Sequence, residues 1–223
     1  MAKNNKLSFI DLSETNIISG GDYYNFSYST KNNEFDKFLL SGCDKLEKII
    51  LPKTIGVICF GAFSYCSNLT SLTIYSKVII IEPYIWVGCA KLNDVKIIDN
   101  SNFHFDNSIL YDKKYTKIID ALQIGFYDDL TIKEGINEIQ EFAFDSCKSL
   151  TNIIFPSTLT KIGIYSFNYS GLTSIILNEN IEAIGKHAFA YWYQLKEVNL
   201  VEVKIKTLEK GIFKSCKLLK SQF

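Results

Sequence analysis

The sequence predicts a repeat solenoid, a fold in which short coils stack on one another. One pattern recurs along the 223 residues: an aromatic residue or Leu, then usually Cys, then Leu, then two alternating apolar residues. One such coil cannot bury its apolar side alone, so the copies are expected to stack and bury it together. The copies are 22 to 24 residues apart outside one interruption, and they begin at Leu40, Phe63, Trp86, Phe144, Phe167, Phe189 and Phe213.

The second half of each copy predicts two short strands. The segment from Leu46 to Leu51 ends in an alternation of period two, in which Ile49 and Leu51 point to the same side. This alternation is typical of a strand with one buried face. A turn follows at Pro52, and then a second apolar pair. A period near 23 residues with this pattern is typical of leucine-rich repeats. The expected fold is therefore a right-handed leucine-rich-repeat superhelix of mainly short β-strands, with turns and short helical segments.

We expect residues 1–223 to form one leucine-rich-repeat domain of about seven to eight units. The interval from Trp86 to Phe144 is 58 residues, and two alternating runs there flank the polar tip Asp112-Lys113-Lys114, which predicts an inserted β-hairpin. The expected segments are an irregular first unit at 7–38, regular repeats at 39–101, the hairpin at 102–129, and regular repeats at 130–223. The last unit is cut short, so we expect a longer protein or self-association end to end.

Charge and hydropathy exclude some functions. Lys plus Arg and Asp plus Glu both number 24, so neither a basic excess nor a nucleic-acid partner is expected. No apolar run reaches the roughly 18 residues of a membrane span. The opening residues also lack the apolar core of a signal peptide.

Two segments carry a family resemblance. The phrase from Ile184 to Phe189, and the phrase from Ala143 to Pro156, resemble the BspA-like, or Treponema pallidum-type, leucine-rich repeats. The hairpin resembles an irregular unit that is frequent in that family, and the Gly20-Gly21-Asp22-Tyr23-Tyr24 segment is similar to Bacteroides-type members. The resemblance covers nearly the whole chain. Its departures are Cys59 at a usual Gly position, Trp192 in place of Cys, and a Glu82-Pro83 bend without Gly.

The resemblance implies a function rather than a chemistry. Family members are bacterial and protist proteins, typically secreted or held at the cell surface, and are associated with adhesion. The family motif contains no catalytic residues. The resemblance therefore implies a non-catalytic module that binds a protein or glycan on host or neighbouring cells.

The cysteines are interpreted as packing residues. Five of the six share one repeat column, which also accepts Ser170 and Trp192, so buried free thiols are expected. Disulfides and a metal site are the alternatives, and Cys59, which is off the column, is the most plausible exception. The column holds Cys43, Cys66, Cys89, Cys147 and Cys216.

Enzyme chemistry is not expected. His104 and His187 are the only histidines, and no nucleophile motif or phosphate loop accompanies them. We therefore predict no catalytic residue, no metal and no cofactor. The recurring aromatic column is interpreted as a core ladder rather than a sugar-binding surface.

The outward strand positions are the main candidate binding surface, because solenoids present such positions as a sheet on which partners dock. Ile154 and Ile176 should be neighbours in an apolar patch with polar flanks. The alternative is that β-branched residues merely suit strands. One column is Lys48, Ser71, Asp94, Asn152, Ser174 and Glu197; the other is Ile50, Thr73, Lys96, Ile154, Ile176 and Asn199.

A second candidate surface lies in the irregular first unit. Tyr23, Tyr24 and Tyr28, together with Phe26, form an aromatic cluster of the kind that suits recognition. The alternative is a packed cap over the first coil. For the whole chain, the main hypothesis is a binding module, the second is a passive spacer that displays another part of a longer protein, and an enzyme is a distant third.

Overall fold

The structure, a computed structural model, describes residues 8–25, 28–123, 129–200, 205 and 208–219, without the side chains of residues 20–25 and 28–30. The chain divides into two compact units, Met1–Lys113 and Lys114–Phe223. The prediction of one domain over 1–223 stays a prediction. No helix in the described ranges is long and apolar enough to cross a membrane.

The N-terminal unit is built from short strands that pair in parallel between successive coils. The strands are β1 Phe9–Asp11, β2 Gly20–Asn25, β3 Tyr28–Thr30, β4 Glu34–Phe35, β5 Lys48–Ile50, β6 Val57–Ile58, β7 Ser71–Tyr75, β8 Ile80–Ile81, β9 Asp94–Ile98, β10 Phe103–Asp106 and β11 Ile109–Asp112. One parallel sheet has the order β1-β5-β7-β9 and another has the order β4-β6-β8. The β2–β3 and β10–β11 pairs are antiparallel.

The C-terminal unit repeats this plan. Its strands are β12 Lys117–Ala121, β13 Leu130–Thr131, β14 Glu138–Ile139, β15 Ile153–Ile154, β16 Lys161–Ile162, β17 Ser174–Ile176, β18 Ala183–Ile184 and β19 Glu197–Asn199. Strands β12, β14, β16 and β18 form a parallel ladder, while β13–β15 and β17–β19 are separate parallel pairs. Within the described residues, a regular coil thus has two short strands, one on each of its two sides, as the sequence pattern predicted.

The core consists of columns of equivalent side chains. In the N-terminal unit, Ile49, Leu72 and Val95 are in register and buried. In the C-terminal unit, Phe144 stacks on Phe167 with ring centroids 5.0 Å apart and planes 3° apart, and the column continues through Phe189 and Phe213. Such pairs add about 0.5–1.5 kcal/mol each beyond their area burial. The predicted core ladder of aromatic residues is confirmed here.

The predicted short helical segments are wrong for the described residues, which contain turns instead. Around Phe167, Tyr165 and Tyr169 have φ angles of 53° and 54°. A right-handed helix needs negative φ, so two left-handed residues four positions apart prevent a helical turn from growing between them. In all seven copies, the residues two positions before and two positions after the first residue of the copy have positive φ angles. These residues are Phe38, Gly42, Gly61, Tyr65, Tyr84, Gly88, Phe142, Ser146, Tyr165, Tyr169, His187, Tyr191, Gly211 and Ser215.

The inserted hairpin is confirmed. Strands β10 and β11 pair antiparallel, with Asp106 opposite Ile109. The connecting residues Asn107 and Ser108 have φ angles of 49° and 65°, as a two-residue type I′ turn requires. The polar run at 112–114, which the sequence predicts as a tip, begins at the end of β11 and leads to β12.

The close approach of coils is testable at Gly163. A Cβ there would lie 2.4 Å from the Glu141 backbone nitrogen, so Gly163→Ala must push two coils apart. We expect the free energy of unfolding to fall by about 1–3 kcal/mol, as for overpacked cores. The matched control is Gly56→Ala, where the nearest atom is Lys77 O at 3.8 Å. That variant should be neutral or slightly stabilising, and urea unfolding of both variants checks the contrast. Equal effects at the two sites would contradict it.

Candidate binding surfaces

The outward strand columns of the N-terminal unit form one continuous face. Lys48, Ser71 and Asp94 are in register across β5, β7 and β9. The second column, Ile50, Thr73 and Lys96, is aligned in the same way. All six side chains are exposed or half-buried, and the sequence placed them correctly on the outer side of the sheet.

Strand β1 extends this face by two residues that the sequence columns omitted. Phe9 lies beside Lys48 and Asp11 beside Ile50. The Lys48 ammonium sits 5.6 Å from the centre of the Phe9 ring, while Lys96 and Asp94 form an ion pair at 3.3 Å. Phe9 and Asp11 flank Ile10 as Lys48 and Ile50 flank Ile49, so the alternation in the sequence was a sufficient signal for both residues. The face therefore presents mixed charges with one exposed aromatic ring.

The outward residues of the C-terminal unit are more apolar. Ile154 is 53% exposed and Ile176 is 69% exposed. Ile154 lies beside Thr131 on β13, and Ile176 lies beside Asn199 on β19. The Thr173 N–H donates to Thr151 O at 3.3 Å. Because Thr151 and Thr173 precede Ile154 and Ile176 by three residues each, this hydrogen bond aligns the two coils that carry the isoleucines. That the two isoleucines form one patch stays a prediction.

The polar flanks of this face are also accessible. Asn152 and Ser174 are half-buried, Glu197 is exposed, and Ser174 lies beside Glu197 in the β17–β19 register. The candidate Tyr23, Tyr24 and Tyr28 lie on β2 and β3, but their side chains fall outside the described residues.

The cysteine column has a role that the sequence did not reveal. The thiols of Cys66 and Cys89 each donate to a carbonyl of the preceding coil at 3.0 Å, namely Leu40 O and Phe63 O. The Trp192 indole N–H donates to Phe167 O in the same way. At these three positions the side chain is therefore a hydrogen-bond donor as well as a packing residue, and Trp192 replaces Cys in both roles.

Two of the thiols, those of Cys59 and Cys147, are poorly suited to act as nucleophiles. Burial, with help from nearby Glu82 and Glu34, raises the pKa of Cys59 to about 12. Burial also raises the pKa of Cys147 well above its ordinary value. Because the thiolate is the reactive form, both groups stay protonated at neutral pH. All six cysteines are free thiols in the structure.

The two histidines have structural surroundings. His104 Nε2 lies 3.1 Å from Lys113 O, and the His187 ring stacks on Tyr165 with centroids 4.9 Å apart. Within the described ranges, His, Cys, Asp and Glu side chains do not form any group of three arranged to hold a metal ion.

Paired coils with ladders of Leu, Ile and Phe define a leucine-rich-repeat β-solenoid. A family model for the BspA type leucine-rich-repeat region matches residues 5–117 and 126–223 in six copies. The chain belongs to the BspA-type leucine-rich-repeat family, and the resemblance found in the sequence is confirmed. Among curated proteins there is no match.

Solved structures support the fold. A leucine-rich cell surface protein from Faecalibacterium prausnitzii has a TM-score of 0.70 at 21% identity and matches 97% of this chain and 59% of that one. A leucine-rich repeat protein from Eubacterium ventriosum has a TM-score of 0.67 at 19% identity, over 83% of this chain and 62% of that one. The pneumococcal vaccine antigen PcpA has a TM-score of 0.55 at 19% identity, over 73% of this chain and 47% of that one. The chain thus spans less than two thirds of each.

A buried carboxyl lies inside the C-terminal unit. Burial raises the pKa of Asp145 to about 6, although Asn168 Nδ2 donates to its Oδ1 at 2.8 Å and opposes the rise. A folded pKa above the ordinary value of 3.8 means that the charged form destabilises the fold. The contribution of Asp145 to stability is therefore full below pH 4 and is lost as the pH rises through about 6.

Replacing this carboxyl should stabilise the protein at neutral pH. Asp145→Asn keeps an oxygen for Asn168 and removes the buried charge, so we expect a gain of up to about 3 kcal/mol at pH 7.5 that vanishes near pH 4. Urea unfolding at both pH values measures it. The control is the exposed Glu182→Gln, which should change stability by less than about 0.5 kcal/mol. A gain of the same size at both pH values would contradict the assigned cause.

Proposed function

We propose that this chain is a non-catalytic, surface or secreted module that binds a host or cell-surface macromolecule through its outward strand face. The observation that carries the proposal is the pair of highly exposed isoleucines, Ile154 and Ile176, between polar residues on that face. Isolated exposed apolar residues are common, but two on aligned coils suit a docking surface. Family membership and the similarity in fold to a cell surface protein of Faecalibacterium prausnitzii support the location.

The non-catalytic part of the proposal rests on the state of the reactive groups. The buried thiols of Cys59 and Cys147 are held protonated, and the His187 ring is covered by Tyr165 on one face. A nucleophile needs an adjacent base to be activated, and these groups are engaged in packing instead. Recognition by the outer surface is the function that such a molecule can perform.

The strand face can be tested with a double substitution. Ile154→Ser with Ile176→Ser removes the apolar contacts, so affinity for a bound extracellular-matrix protein should fall at least about tenfold. Surface plasmon resonance against a panel of purified matrix proteins measures the affinity. The matched control is Ile164→Ser, because Ile164 is 42% exposed but lies off the strand face.

The outcomes separate the two functional hypotheses. Loss of binding in the double variant alone supports docking on the strand face. Unchanged binding in that variant would show that the face is not the site. If the wild-type chain binds no protein of the panel, the passive spacer replaces the binding module.

A further inference from the structure

A second exposed surface lies at the turns of the C-terminal unit, away from the strand positions. We call it the tyrosine–lysine edge; it consists of Tyr169, Tyr191, Tyr193, Lys214 and Lys217. The rings of Tyr169 and Tyr191 stack at 4.5 Å, and Tyr193 lies 6.2 Å from Tyr169. Tyr169 is 38% exposed and Tyr193 is 47% exposed. Three large rings therefore share one accessible edge.

The backbone under two of these rings favours glycine. Tyr169 and Tyr191 have φ angles of 54° and 59°; in the N-terminal unit, Tyr65 has the same conformation and Gly42 and Gly88 occupy the other two equivalent positions. A left-handed conformation costs an L-residue roughly 1–2 kcal/mol. Ring stacking offsets part of that cost. Exposed tyrosines thus occupy positions where Gly would fit without strain.

Positive charge converges on the same edge. The Lys214 ammonium lies 5.6 Å from the centre of the Tyr191 ring, and the Lys217 ammonium lies 5.9 Å from that of Tyr193. Both lysines are exposed. Burial, followed by the charges of Lys186 and Lys214, lowers the pKa of the adjacent His187. The electrostatic field at this edge therefore suits an anion.

The backbone of the edge is already used for holding coils together. The Tyr169 N–H donates to Ala190 O at 3.1 Å, and the Tyr191 N–H donates to Lys214 O at 2.7 Å. A peptide that adds to a sheet needs such groups, and they are occupied here. A ligand must be recognised by hydroxyls, ring surfaces and ammonium groups alone.

We propose that the tyrosine–lysine edge binds a sulfated polysaccharide. Ammonium groups pair with sulfates as compact point charges, while the tyrosines offer apolar area to sugar C–H groups and hydroxyls to sugar oxygens. A chain of repeating sulfates and hydroxyls matches this combination better than an acidic peptide does, because its recognition does not require main-chain hydrogen bonds. This site is separate from the strand face and binds a different class of ligand.

The experiment uses the full chain and heparin as the probe, measured by isothermal titration calorimetry at several salt concentrations. Lys214→Gln with Lys217→Gln should weaken binding at least about tenfold and reduce the salt slope by about 2. Tyr193→Ala should weaken it about threefold or more, since stacking on one ring contributes on that scale. Tyr193 avoids the left-handed positions, so its replacement does not change backbone strain.

The matched control is Lys133→Gln with Lys161→Gln, which removes the same charge from the same unit. Lys133 also sits over a single ring, Tyr115, at 5.7 Å, so the control includes a cation–π pair without the tyrosine cluster. It should bind heparin within about twofold of wild type, as expected for charges remote from the site. Circular dichroism of each variant verifies that the fold is intact.

Four results would overturn the proposal. These are absence of heparin binding, equal losses in the two lysine double variants, an unaffected Tyr193→Ala variant, and displacement of heparin by poly-glutamate of matched charge. The second would indicate nonspecific attraction of polyanions, and the last would indicate an acidic peptide. Because the strand face is untouched, the isoleucine variants of the proposed docking face should bind heparin normally.

Discussion

Main-chain hydrogen bonds between successive coils are the constraint on which this structure depends. At the turns, the Phe144 N–H donates to Ser166 O and the Phe167 N–H donates to Ala188 O. In the parallel strands, the same pairing continues residue by residue. Neighbouring backbones are thereby held at the strand spacing of about 4.8 Å. Each side chain therefore has its own repeat equivalent as its nearest neighbour, and stability comes from columns.

The columns explain residues that look unrelated in the sequence. Cys66 and Trp192 are both hydrogen-bond donors to the carbonyl of the preceding coil. Gly163 is required because the neighbouring backbone occupies the space of a Cβ. Twelve of the fourteen left-handed positions around the seven copies hold a glycine or an aromatic ring, and the other two are Ser146 and Ser215. Tyr65 shows how a glycine and a ring cooperate, since its ring fills the space that a Cβ on Gly88 would need.

With the interior occupied by such columns, function is left to the outer surface. The strand faces present charges in the N-terminal unit and isoleucines in the C-terminal unit. The turn edge of the C-terminal unit presents tyrosines and lysines. The buried carboxyl of Asp145 is partnered by Asn168 within the core and acts on stability. A repeat domain of this kind can therefore carry two recognition surfaces on one scaffold, because changes on the outside do not disturb the columns.

The amino-acid sequence alone determined the period, the buried columns, the side of each strand that faces outward, and the family. These follow from periodicity: Ile49, Leu72 and Val95 recur at a fixed spacing, and a side chain two residues away must share their face. The tertiary structure decided what depends on contacts between coils. It replaced the expected helical segments with turns, placed a second tight turn at Asn107 and Ser108, and added Phe9 and Asp11 to the strand face.

The tyrosine–lysine edge also belongs to the tertiary structure. Tyr191 and Lys214 are 23 residues apart and meet only because two coils stack. A sequence pattern reports which residues recur, since recurrence is a property of the chain. Backbone handedness and contacts across coils are set by how neighbouring backbones pack, which no single repeat contains.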